Sequence, residues 1–374
     1  MAGLYIHIPF CESRCAYCDF FSTTQKESIP SYIYALESEI IQKKEWLKEE
    51  VIDTIYFGGG TPSTLDRKYL MLLLDQIKRC FTLNPSAEIT IEVNPDDISK
   101  KYAQTLFDLK FNRVSIGIQS LNNDILKLIG RRHSSKQAID AVRNFCEVGF
   151  KNISIDLIYG IPGQTTESFI DDINRVLSLD ITHISTYHLS YKKGTKMSRL
   201  KKQAKITPIS ENCSRTMYDT LCRIMRESGF VHYEISSFCK PGMESKHNSN
   251  YWNGTKYLGV GAGAHSYNRE KRCWNISNLD LYIKGIKESK MVTQEESLSC
   301  KDKMNEMLML SLRTLKGLDM DLFVSKFGDK SGESIMINAE KYINAGSLLI
   351  DKGVLKFTEQ GLFVSDNIIS ELFF

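Results

Sequence analysis

The chain has 374 residues, 42% of them hydrophobic and 25% charged, which is the make-up of a folded globular protein longer than one core needs. With 48 basic and 45 acidic residues the net charge is +3, too balanced for a nucleic-acid binder. No apolar run reaches the roughly 18 residues of a membrane helix. Pro9 and nearby cysteines interrupt the short apolar stretch at the N-terminus, so no signal peptide is expected and the expected location is the cytoplasm.

In chain order, short runs rich in Ile, Val and Tyr predict strands over residues 4–8, 54–57, 88–93, 113–118, 152–159 and 183–189. Segments with a 3.6-residue apolar period predict helices over 31–49, 68–81, 100–108, 136–148, 167–179 and 209–228. Strand alternating with helix implies right-handed crossovers and a parallel sheet. The sheet is either doubly wound or an incomplete barrel. The unusual motifs fall just after strands: FCESRCAYC after the first, GGGTP after the second, NPDD after the third, Gln119 at the fourth and YGIPGQT at the fifth. In a barrel those loops build one site on one face. Beyond Phe230, HYEISSF and YLGVGAGAHSY read as strands separated by a polar segment containing HNSNYW. From Cys300, three helical segments precede GVLKFTEQGLFVSDNII, which reads as a β-hairpin, so the C-terminal unit is expected to be small, helical and winged-helix-like. The divisions expected are 1–230, a β extension over 231–290 and the C-terminal unit over 291–374.

Seven of ten cysteines are scattered singly and suit buried thiols in a reducing compartment. Cys11, Cys15 and Cys18 are clustered and need another account. Spaced i, i+4 and i+7, they could align on a helix. With His7 as a fourth ligand they could hold zinc. On one tight loop they could hold three irons of a 4Fe-4S cube and leave the fourth iron open to a small molecule.

Other positions also read two ways. GGGTP either lets a ligand approach the backbone or makes a simple turn, and no GK[ST] follows to mark a phosphate loop. Glu92 near the end of ITIEV either faces a cavity or alternates toward solvent. Asp156 stands in the otherwise nearly apolar run ISIDLIY. HNSNYW offers an imidazole and two flat rings to a macrocycle, or is a surface loop whose aromatics pack onto the barrel.

The spacing CESRCAYC resembles the radical S-adenosylmethionine (SAM) superfamily. Together, YIHIPFCESRCAYCDF, FGGGTPS, RVSIGIQS, GRRHS, DLIYGIPGQT and HNSNYW resemble the HemW-type haem chaperones, relatives of the oxygen-independent coproporphyrinogen III oxidases. The likeness runs from Tyr5 to at least Tyr267. It implies an incomplete (β/α)6 radical-SAM barrel, an α/β fold, with a cluster on Cys11, Cys15 and Cys18 whose open iron SAM chelates. It implies SAM contacts at Tyr5, Tyr17, Gly59, Gly60, Thr61 and Glu92, and second-SAM positions at Gln119, Arg131 and Asp156. It implies haem contacts at His247, Tyr251 and Trp252. The oxidases place another cysteine two residues beyond the third, where this chain has Phe20, and carry an extension ahead of the cluster loop. Both differences favour a haem carrier over an oxidase. The partners expected are haem and a haem-accepting protein such as a respiratory cytochrome, with transient contact at a membrane surface. The alternative is oxidative decarboxylation of coproporphyrinogen III.

Overall fold

The computed structural model describes residues 1–374. Six parallel strands form its centre: β1 (Ala2–Ile8), β2 (Ile52–Gly59), β3 (Leu83–Val93), β4 (Arg113–Gln119), β5 (Asn152–Tyr159) and β6 (His183–His188). They lie side by side in chain order, and every adjacent pair is parallel.

Alternation along each strand separates two faces. Leu4, Ile6 and Ile8 on β1, Val114, Ile116 and Ile118 on β4, and Ile153, Ile155 and Leu157 on β5 are buried in the main apolar core. Each such side chain contributes about 1.5–3 kcal/mol by leaving water. The intervening positions face the other way and are polar, for example Tyr5 and His7, Thr54 and Tyr56, Ser115, and Ser154 and Asp156. Residues from β2 through β6 line one cavity, so the sheet curves into a trough with a polar interior. The two end strands of the sheet do not pair with each other, which leaves the barrel incomplete.

The outer helices, Ile29–Gln42, Arg67–Cys80, Lys100–Asp108, Ser135–Val148, Thr166–Leu177 and Glu211–Glu227, follow the strands as predicted. The first ends earlier than its apolar period implies and continues as a single 3-10 turn, Lys44–Leu47. Two further helices, Asn123–Leu128 and Lys196–Lys202, lie in loops for which no element is predicted. Their starts are set by Asn122 and Thr195, whose side chains accept backbone N–H bonds.

Residues beyond Phe230 extend both edges of the same sheet. β7 (Val231–Glu234) and β8 (Ser237–Cys239) continue it beyond β6. β9 (Tyr257–Val260) pairs parallel with β1 and is followed outward by β10 (His265–Tyr267), β11 (Lys271–Asn275) and β12 (Thr293–Ser297). HNSNYW lies on neither edge. It forms the short helix Lys246–Trp252, capped by Ser245.

Three C-terminal helices, Cys300–Leu312, Met320–Phe327 and Asp329–Asn344, accompany a separate antiparallel sheet of β13 (Leu318–Asp319), β14 (Leu348–Asp351) and β15 (Val354–Phe357). The hairpin expected over 353–369 is therefore displaced. It spans β14 and β15 and turns at Lys352 and Gly353, both with positive φ, as a tight two-residue hairpin turn demands. After it, Thr358 accepts the Gly361 N–H and starts the helix Glu359–Leu362, and Ser365–Glu371 is helical too. No helix of the chain is long and apolar enough to cross a membrane.

Candidate functional site

The loop after β1 carries the three clustered cysteines and is held by backbone bonds to several neighbours. Cys11 N–H donates to Thr23 O at 2.8 Å, Thr61 N–H to Phe10 O at 2.8 Å, Ala16 N–H to Ile129 O at 2.8 Å and Met197 N–H to Ala16 O at 2.8 Å. The loops after β1, β2, β4 and β6 are thus tied together. Cys11, Cys15 and Cys18 are free thiols. They do not lie on a helix, because only turns and bends occur between Cys11 and Cys18.

All three face one cavity of about 400 Å³. Tyr17, Gly59, Gly60, Thr61, Glu92, Gln119, Arg131 and Asp156 line the same cavity. Of the positions expected to meet SAM, only Tyr5 lies off this wall. Its hydroxyl bonds His7 Nδ1 at 3.1 Å, and its ring stacks on Tyr56 at 6.1 Å.

Two side chains donate to cysteine sulfurs: Thr61 Oγ1 to Cys11 Sγ at 3.3 Å, and Arg131 Nη1 to Cys15 Sγ at 3.3 Å. Asn94 connects these donors, since its Nδ2 donates to Thr61 Oγ1 at 3.2 Å and its Oδ1 accepts from Arg131 at 2.7 Å. Asn94 was not singled out from sequence, although its NPDD motif at a strand end marked the place. Arg132, the next residue of GRRHS, turns away to pair with Asp96 and Asp97.

The glycine loop is built for close approach. At Gly60, a Cβ would sit 2.6 Å from the Pro9 carbonyl, and at Gly59, whose φ is +112°, it would strike the His7 ring at 2.4 Å. These glycines seat the cysteine loop against β2. Gly59 N–H also donates to Glu92 Oε2 at 3.1 Å, and Tyr56 OH donates to Glu92 Oε1 at 2.8 Å. Glu92 faces the interior. Burial pushes its carboxyl up to about 7, offset by the Tyr56 bond and reinforced by Asp156. Burial likewise pushes Asp156 up to about 6, opposed chiefly by Arg113 and then by Ser115, which donates to both its oxygens at 3.3 Å. Arg113 is 1% exposed, and its Nε and Nη1 have no protein partner.

This donor set fits a body larger than one ion. No three His, Cys, Asp or Glu side chains converge tightly enough to ligate a single metal. His7, the fourth zinc ligand considered above, is committed elsewhere: Nε2 bonds Phe21 O at 3.0 Å, Nδ1 bonds Tyr5, and burial lowers its pKa to about 4. A cube instead spreads three thiolates over three irons, and the Thr61 bond partly offsets the burial that pushes the Cys11 thiol up.

His247, Tyr251 and Trp252 lie away from the cysteines, and none lines that cavity. His247 is 1% exposed. Its Nδ1 bonds Thr54 Oγ1 at 2.8 Å and its Nε2 bonds Tyr251 OH at 3.0 Å. In this conformation neither ring nitrogen is available to an iron, so the expected haem ligand has no free donor atom.

A curved six-stranded parallel sheet with three thiols in its first loop defines the class as a radical SAM barrel. The Radical SAM superfamily profile matches residues 5–176, and the HemN C-terminal domain profile matches residues 298–364. A Lactococcus lactis protein named heme chaperone HemW is 35% identical, covering 98% of this chain and 96% of its own length. The Bacillus subtilis protein of that name is also 35% identical, covering 98% and 95%. The chain belongs to the HemW family. The structure of coproporphyrinogen III oxidase HemN from Escherichia coli, 24% identical, matches 99% of this chain and 89% of that one with a TM-score of 0.86, so the two share their fold.

Proposed function

We propose that this protein is a haem chaperone: it holds a 4Fe-4S cluster on Cys11, Cys15 and Cys18, takes SAM beside it, binds haem and passes haem to an acceptor protein. The observation that carries the reading is the end-to-end match with relatives named heme chaperones. When bound, the cluster supplies an iron with a position open to SAM and a single reducing electron.

The chain's own residues prepare that place. Thr61 and Arg131 direct donors at two sulfurs. Glu92, held by Tyr56 and Gly59, offers a carboxylate to the cationic end of an amino acid once it is ionised. Asp156, held by Ser115, offers a second. Phe20 is 65% exposed at the cavity mouth and supplies no further thiol. The acceptor half of the proposal is a haem protein such as a respiratory cytochrome, met from the cytoplasm at a membrane surface.

Anaerobic reconstitution with iron and sulfide, followed by hemin titration and transfer to an apo-cytochrome, tests this reading. Stoichiometric hemin binding and transfer are expected. Conversion of coproporphyrinogen III in the presence of SAM and a reductant would overturn the chaperone reading in favour of the oxidase.

A further inference from the structure

The HNSNYW segment accounts for much of the lower interior of the trough. The backbone N–H groups of Lys246 and His247 donate to Glu88 Oε2 and Oε1 at 3.1 and 3.0 Å. Glu88 and Glu92 belong to the same strand, β3, so the segment is anchored to the strand that carries the carboxylate of the upper cavity. Below that carboxylate the His247 ring stacks on Tyr56, with centroids 5.0 Å apart and planes 27° apart. Tyr5 stacks on the same imidazole at 6.4 Å and 28°. Tyr251 meets it edge-on at 5.2 Å. β1 makes room for the ring: a Cβ at Gly3 would lie 3.0 Å from Thr54 Oγ1 and 3.3 Å from His247 Cε1.

Tyr56 links the two levels. One face of its ring is set by His247, and its hydroxyl donates to Glu92 Oε1 at 2.8 Å. The imidazole itself is fixed at both nitrogens, by Thr54 and Tyr251. A ring so held is a rigid support, and the hydroxyl it supports determines where Glu92 points.

We propose that His247, clamped between Thr54 and Tyr251, is a positioning residue for SAM binding, acting through Tyr56 on Glu92, and is not a haem ligand. The proposal rests on the reading of Glu92 as a SAM contact. It assigns the motif a structural link to the cofactor site from the end of the trough away from the cysteines. It also explains why the imidazole is neutral and fully bonded, which suits a support and not a titrating group.

The test uses anaerobically reconstituted full-length protein, with SAM affinity, the SAM-induced change in the reduced cluster's EPR spectrum and hemin affinity as readouts. His247→Ala is expected to keep its iron complement and bind hemin within about twofold of wild type, while SAM affinity falls about tenfold and the EPR change shrinks. His247→Asn, whose amide reaches the place of Nδ1 and retains Thr54, recovers part of the loss. Added to Tyr56→Phe, His247→Ala costs little more than either change alone, because both act through one hydroxyl. If His247→Ala does not fold, Tyr251→Phe and Tyr56→Phe carry the test: a shared SAM loss supports the link and additive losses overturn it. Hemin binding abolished in His247→Ala with SAM binding intact would overturn the proposal. Glu92→Gln separates the two readings. If it binds SAM like wild type, the underlying SAM contact is wrong; if it loses SAM while His247→Ala does not, only the link is wrong.

Discussion

The upper and lower halves of the trough are both polar, and they differ in how far their hydrogen bonds are completed. Below, Thr54, His247, Tyr251 and Tyr56 satisfy one another and stack. Above, three thiols, Glu92, Asp156 and Arg131 surround a cavity, and Arg131 Nε is buried with no partner. Between them lie Arg113 and Thr90, whose buried polar atoms also lack protein partners. A buried polar group completed by its own chain needs no ligand, and one left incomplete can take a ligand or water; below, the exception is Trp252 at the end of the HNSNYW helix, whose Nε1 is buried without a partner. The contrast between the halves locates the site more sharply than polarity alone, since polarity is common to both.

The largest effect is expected at the top. Cys15→Ala removes one of three thiolates, and reconstituted protein should lose its cluster absorbance and most of its iron. The fold should survive, because Cys15 is only half-buried and lies in a loop. A variant with a full, SAM-responsive cluster would refute the three-thiolate site.

Next comes the charge of Glu92. Its folded pKa is raised to about 7, by burial first, so the protonated form favours folding. That contribution is present below the unfolded value near 4.5 and is lost as pH rises through about 7. It amounts to roughly 3 kcal/mol at most. Glu92→Gln should therefore flatten the fall in thermal stability of cluster-free protein between about pH 4.5 and pH 7, the window those two values define. SAM affinity should fall in wild type as pH drops through about 7, and in Glu92→Gln the step near 7 should vanish, leaving only the dependence of Asp156 near 6. Arg113→Met removes the interior cation that opposes the rise at both Glu92 and Asp156, so the midpoint for SAM binding should move to higher pH. An unmoved midpoint would show that Arg113 does not reach the carboxylates.

Much of this was legible in the sequence because strand ends carry the motifs. The loops after β1, β2 and β4 place Cys11, Gly59, Gly60, Gln119 and Arg131 around one cavity, as their order along a barrel implies. The inward face was harder to read. ISIDLIY is nearly apolar apart from Ser154 and Asp156, which point in while Ile153, Ile155 and Leu157 pack outward, and a short run cannot show which face is which. NPDD marked the strand end but not the role of Asn94, which is to bridge Thr61 and Arg131, residues distant in sequence. HNSNYW combined ligand-type residues with aromatics, and only the tertiary fold shows its imidazole bonded at both nitrogens. The C-terminal hairpin was displaced because the turn is made by Lys352 and Gly353 while Thr358 caps a helix, so apolar residues after Thr358 belong to helices.

The smallest effect is expected at Tyr5, which stands between the two halves. Its hydroxyl reaches His7, whose ring lies against Gly59 of the upper loop, and its own ring stacks on Tyr56 and His247 of the lower layer. It does not line the cavity. Tyr5→Phe keeps the stack and removes one hydrogen bond, so stability should drop by about 0.5–1.5 kcal/mol. SAM affinity should stay within about twofold of wild type, since a change below roughly 0.4 kcal/mol is all that an intact Tyr56 and Glu92 would transmit. A tenfold loss of SAM affinity with unchanged stability would instead put the Tyr5 hydroxyl at the ligand, and the division between a completed lower layer and an incomplete upper one would have to be drawn below β1's Tyr5.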